Sequence, residues 1–63
     1  MNFADIKIGM IVCAARTDTR ECELGEVIEL DPDVELARIA WDDLPLEDAA
    51  WLPAHALCPE VKP

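Results

Sequence analysis

Glu35-Leu36-Ala37-Arg38-Ile39-Ala40-Trp41-Asp42 alternates along its length: Ala37, Ile39 and Trp41 fall on one side, and Leu36, Arg38 and Ala40 on the other. Successive strand side chains point to opposite faces, so this period of two predicts a half-buried β-strand. Immediately upstream, the apolar-rich run Leu24-Gly25-Glu26-Val27-Ile28-Glu29-Leu30-Asp31 leads into Asp31-Pro32-Asp33. There Pro fixes φ and the flanking Asp side chains can accept bonds from nearby backbone, so the segment reads as a second strand and a tight turn. Further upstream, Ile8 to Ala15 is a β-branched-rich run that stops at Arg16-Thr17-Asp18-Thr19-Arg20-Glu21, as a first strand entering a loop should.

Downstream, Asp42 to Asp48 is an acidic loop in which Pro45 blocks continuous sheet pairing, and Ala49 to Pro53 reads as a fourth short strand. A competing reading starts a helix at Pro45, with Glu47 and Asp48 favourable in its first turn, and runs it to Leu52. Ala54-His55-Ala56 has the length of one tight 3-10 turn. Leu57 to Val61 supplies a closing strand that Pro59 places at an edge or end. Together these elements predict an all-β, five-stranded, strongly bent small barrel, with a 3-10 turn before the last strand.

The chain has 63 residues, room for a single small domain over residues 1–63. It is 52% apolar, but with nine Ala, one Phe, two Trp and no Tyr the core must be built mainly from Ile, Leu and Val. Fourteen acidic residues against five Lys and Arg give a formal charge of −9, which repels nucleic acid and anionic membrane and favours a basic partner. No stretch has the length of a membrane span or the layout of a signal peptide. Three cysteines cannot all pair within one chain, and the simplest inference is a reducing, cytoplasmic setting.

Three stretches, Leu24 to Leu30, Ala37 to Trp41, and Ala50 to Leu57, resemble the second strand, third strand and tryptophan-x-proline turn of Src-homology-3-like barrels. Similar motifs occur in Tudor-like and KOW-like barrels. The resemblance implies the five-stranded bent barrel over roughly residues 8 to 61, and bears on architecture more than on any activity. Pro53 matches the proline beside the family's turn, Trp51 matches the bulky residue two positions before it, and Trp41 ends the third strand near the family's ligand-stacking tryptophan. Ala56, however, stands where peptide-binding members carry a groove tyrosine, and the first strand lacks their tyrosine-containing stretch. A polyproline groove needs a row of aromatic walls, which this composition does not supply.

The inventory for chemistry is short. The sequence holds no Ser, Tyr or Gln and a single His, so a Cys-His dyad would have to use His55 with Cys13, Cys22 or Cys58. No third residue is evident to orient it, and no catalytic role or cofactor is expected. Cys13, Cys22, His55 and Cys58 are four soft ligands that would make a structural zinc site only if the fold brought them together, and their spacing matches no metal ribbon. As small apolar fillers they need no metal. The acidic loop lacks the D-x-D-x-D-G pattern of a calcium site.

Carboxylates fall in three groups: Glu21, Glu23, Glu26 and Glu29; Asp31, Asp33 and Glu35; and Asp42, Asp43, Glu47 and Asp48. They serve either as a solvated surface or as a negative face that docks on a Lys/Arg-rich protein. Aromatic anchors lying close to acids favour a partner-binding surface of Trp41, Asp42, Asp43, Glu47, Asp48, Trp51 and Pro53. A second reading is a phage-type inhibitor that mimics nucleic acid to block a basic groove, although Arg16, Arg20 and Arg38 interrupt any phosphate-like row. Exposed edge strands further suggest self-association.

Overall fold

The computed structural model describes residues 1–16 and 21–59. Five strands, β1 (Ile11–Ala15), β2 (Cys22–Asp31), β3 (Leu36–Ala40), β4 (Ala50–Pro53) and β5 (Leu57–Pro59), form one sheet in the order β4-β3-β2-β1-β5. Every neighbouring pair is antiparallel. Helical geometry among the described residues is confined to single 3-10 turns at Phe3–Asp5, Leu46–Asp48 and Ala54–Ala56. The chain is thus an all-β, curled half-barrel with a 3-10 turn before its last strand.

The curl originates in β2, which is ten residues long and serves two neighbours. Its first half, Cys22 to Glu26, pairs with β1; its second half, Glu26 to Asp31, pairs with β3. Within the second half the register shifts between Val27 and Glu29, leaving Ile28 without a cross-strand partner. An extra residue of this kind bends its strand and increases the local twist, which folds one half of the sheet over the other. Gly25, opposite Val12, lies where β3 crowds β2: a Cβ there would sit 2.5 Å from Ile39 Cγ2 and 3.0 Å from the Ala40 carbonyl oxygen.

The concave side carries the core. Val12 and Ala14 of β1, Val27 of β2, Ala37 and Ile39 of β3, Trp41, Leu57 of β5 and Ile6 are all buried, with Phe3, Leu44 and Leu52 among the side chains packed at the margin. The alternation read from Leu36 to Trp41 is therefore realised, with Ala37, Ile39 and Trp41 inward. The Asp31-Pro32-Asp33 turn forms as expected, Asp33 N donating to Asp31 Oδ1 at 3.1 Å, and Glu35 completes it at φ 55°. Both edge strands are short and end on a proline, Pro53 and Pro59, which removes a donor where a further strand would pair.

One expectation needs correction, and one competing reading is settled in favour of the fourth strand. Ile8 to Met10 do not belong to the first strand: Gly9 adopts φ 91°, Met10 N bonds back to Lys7 O at 3.1 Å, and Ile8 projects into solvent. The competing helix from Pro45 to Leu52 is also absent, because after the turn at Leu46–Asp48 the chain extends at Ala49 and enters β4, where Ala50 and Leu52 pair with Ile39 and Ala37. The expected closing strand is present from Leu57 to Pro59; its remaining positions, 60 and 61, and the loop positions 17–20 lie outside the described residues.

Candidate interaction surface

Arg16 follows β1 with the inward parity of Val12 and Ala14, so the strand delivers a guanidinium to the end of the core, where the residue is 5% exposed. Its charge is met on several sides. Nη1 donates to both Asp43 carboxylate oxygens at 2.8 and 2.9 Å, Glu23 Oε2 lies 3.7 Å away, and the guanidinium carbon stands 5.4 Å from the Trp41 ring centroid. Trp41 is only 6% exposed, and its Nε1–H donates to the Glu23 carbonyl oxygen at 3.4 Å. This cluster pins the β3–β4 connection to the end of β1. A cation over an indole face, further neutralised by carboxylates, is the arrangement that makes burying it tolerable.

The residues proposed from sequence are thereby divided. Trp41 is a core side chain and cannot act as an exposed anchor, and Asp43 is committed to Arg16. Adjacent in sequence, Asp42 and Asp43 therefore have different roles. Asp43→Ala leaves a buried guanidinium short of its best acceptor and is expected to cost about 1–2 kcal/mol, whereas Asp42→Asn should stay within about 0.5 kcal/mol of the parent. Urea midpoints of the two variants check this contrast.

Asp42, Glu47, Asp48 and Trp51 remain at the surface, as does Asp43 while it pairs with Arg16. On the convex face, Trp51 of β4 is opposite Arg38 of β3. Arg38 Nη1 reaches Glu29 Oε1 at 3.4 Å and Nη2 donates to the Leu46 carbonyl oxygen at 3.3 Å, which places the exposed Leu46 beside this pair. Pro53 is half-buried at the end of β4. It lines, with Met1 to Ala4, Val34, Glu35, Ala54 and His55, an open groove of about 580 Å³.

A feature that sequence reasoning missed lies toward β1 on the same convex face. Ile11 and Leu24, both exposed, wall a cleft of about 150 Å³ floored by Gly25 and flanked by the exposed carboxylates of Glu26 and Asp42. Ile11 is the direct cross-strand partner of Glu26, and Leu24 is two positions before it on the same face of β2. Neither Glu26 nor Asp42 has an ion pair among the described residues. The outward parity of Ile11, Leu24 and Glu26 was the available signal, but it becomes a site only with the strand register: Asp42 lies two positions past Ala40, the partner of Glu26, as Leu24 lies two positions before Glu26.

The four candidate metal ligands do not converge. Cys13 and Cys58 face each other on the convex side, Cys22 lies across from Ala15, and His55 lies on the groove described above. Among the described residues, no group of three or more His, Cys, Asp or Glu is placed to hold a metal ion. No helix among them is long and apolar enough to cross a membrane.

No family model, no curated protein and no solved structure matches this chain.

Proposed function

We propose that this chain is a non-catalytic interaction module, a Src-homology-3-like half-barrel whose acidic convex face docks on a basic protein segment. The observation that carries the reading is the cleft of Ile11, Leu24, Glu26 and Asp42. Exposed aliphatic walls beneath two unpaired carboxylates suit an Arg or Lys side chain, whose methylenes lie along the walls while its cationic head meets Glu26 and Asp42. Trp51 and Leu46, exposed near Glu47 and Asp48, extend the same face with apolar contact area. The sheet order and the 3-10 turn before β5 support the superfamily resemblance. With Trp41 buried, the aromatic row of a polyproline groove is further depleted, which supports a charged ligand instead.

Selection from a displayed library of about 12-residue random peptides should enrich Arg or Lys beside aliphatic residues, and a selected peptide should weaken about tenfold as salt rises from low to several hundred millimolar. Glu26→Gln with Asp42→Asn should weaken it about tenfold at low salt, roughly two modest ion pairs, without moving the melting temperature. Enrichment of neutral or acidic peptides, or backbone shifts centred away from Ile11, Leu24 and Asp42, would rule the reading out.

One observation favours the nucleic-acid mimic as a second reading. Arg16, expected to interrupt a phosphate-like row, is buried among its carboxylates and leaves the surface nearby negative. On that reading, duplex DNA competes with the chain for its partner; on the first, DNA has no effect.

A further inference from the structure

We propose that Cys13 and Cys58 form an oxidisable dithiol, a modification site that a hydroperoxide closes to an intramolecular disulfide while leaving Cys22 free. The inference is independent of the docking surface. In the antiparallel β1–β5 ladder Cys13 is the direct partner of Cys58, flanked by the pairs Val12↔Pro59 and Ala14↔Leu57. Val12, Ala14 and Leu57 are buried in the core, so by the alternation of strands both cysteines point to the convex side. All three cysteines are free thiols; Cys58 is exposed and Cys13 half-buried.

Geometry selects one pairing from three. Directly opposed residues of antiparallel strands have Cα atoms about 4.5–5.5 Å apart, inside the roughly 4.4–6.8 Å span a disulfide bridges. Cys22 is across from Ala15, two positions along β2 from Leu24, the residue opposite Cys13. That diagonal relation separates Cα atoms by about 7–8 Å, beyond the span. From Cys58, Cys22 is two strands away, roughly 10 Å at the usual strand spacing.

The step balances with a hydroperoxide as oxidant. The exposed Cys58 thiolate attacks the terminal peroxide oxygen and the O–O bond breaks; the leaving alkoxide or hydroxide takes up a proton, giving an alcohol or water. Cys58 is then a sulfenic acid. The Cys13 sulfur attacks the Cys58 sulfur, the S–O bond breaks, and the hydroxide leaves as water with the Cys13 proton. Two thiols lose two electrons and two hydrogens, and the peroxide is reduced by two electrons. The bond ties β5, an edge strand of three residues, to β1 across a loop enclosing β2, β3 and β4, where a cross-link restricts the unfolded chain strongly.

The sequence makes the test direct, because cleavage after Lys and Arg, which spares the Lys62-Pro63 bond, places the cysteines on three different peptides, 8–16, 21–38 and 39–63. The folded full chain is treated with hydrogen peroxide at about one equivalent, alkylated and digested without reductant. The expected product is peptide 8–16 linked to 39–63, with Cys22 alkylated and the intact mass lower by two hydrogens before alkylation. The melting temperature should rise by about 10 °C and return on reduction. Cys22→Ala should preserve all of this, and Cys58→Ala should abolish the link. Links through Cys22, dimers as the main product, a Cys13–Cys58 link that appears only in urea, or three alkylated thiols after oxidation would each overturn the proposal.

Discussion

Trp41→Ala is expected to leave the chain largely unfolded at room temperature. Removing a buried tryptophan typically costs about 3–5 kcal/mol, and a domain of this size has about that much stability in total. The margin is unusually small here because, among the described residues, the largest fully buried side chains are no bigger than Ile39, Leu57, Val12 and Val27. Trp41 closes the end of that set. Its ring lies under the Arg16 guanidinium and its Nε1–H is bonded to Glu23 O, so truncation also exposes a buried charge to a void. Trp41→Phe keeps most of the apolar volume but loses the bond, and should fold with a lowered urea midpoint. Trp51→Ala, at the surface opposite Arg38, should cost less than about 1 kcal/mol. Far-ultraviolet dichroism and urea titration of the three variants check the order. A Trp41→Ala protein that melts like its parent would mean the side chain is peripheral and available to a partner after all.

That order also shows where sequence reading was strong and where it failed. The alternation of Ala37, Ile39 and Trp41 already assigned Trp41 to the buried face, and the structure follows it; its acidic neighbours suggested an anchor only when that parity was set aside. The turn at Asp31 to Asp33 and the 3-10 turn at Ala54–Ala56 were legible because Pro and Asp act over two or three residues. The partition of Asp42 from Asp43 was not. It depends on Arg16, 27 positions away, being carried inward by the parity of β1, and on the turn that bonds Leu44 N to Trp41 O. The cleft on the convex face was hidden for the same reason, since Ile11, Leu24 and Asp42 meet only through the registers in which β1 and β3 pair with β2. Gly9 and Gly25 both looked like strand punctuation; the sequence contained nothing to separate a turn glycine from one that lets β3 crowd β2.

The two glycines should behave very differently when replaced. Gly25→Ala is expected to lose about 2–4 kcal/mol, the range of a severe overpacking error in a core with no slack. The added methyl would stand 2.5 Å from Ile39 Cγ2, 3.0 Å from the Ala40 carbonyl oxygen and 3.2 Å from Trp41 Cδ1. Ile39 is fully buried and β-branched, so its Cγ2 cannot swing away without a new rotamer, and the Ala40 oxygen belongs to a strand paired with β2. Relief requires β2 and β3 to part. Gly9→Ala meets nothing within 4 Å, and its penalty comes from φ 91° alone, on the order of 1–2 kcal/mol. The two mechanisms separate in a double-mutant cycle. Ile39→Leu keeps the side-chain volume but removes the branch at Cβ that carries Cγ2, so it should recover about 1 kcal/mol of the Gly25→Ala loss and none of the Gly9→Ala loss. Urea midpoints at unchanged slope give the coupling directly. Additivity of Gly25→Ala and Ile39→Leu would mean that β2 and β3 are not in the close contact on which the curl of the sheet, and with it the cleft beside Asp42, depends.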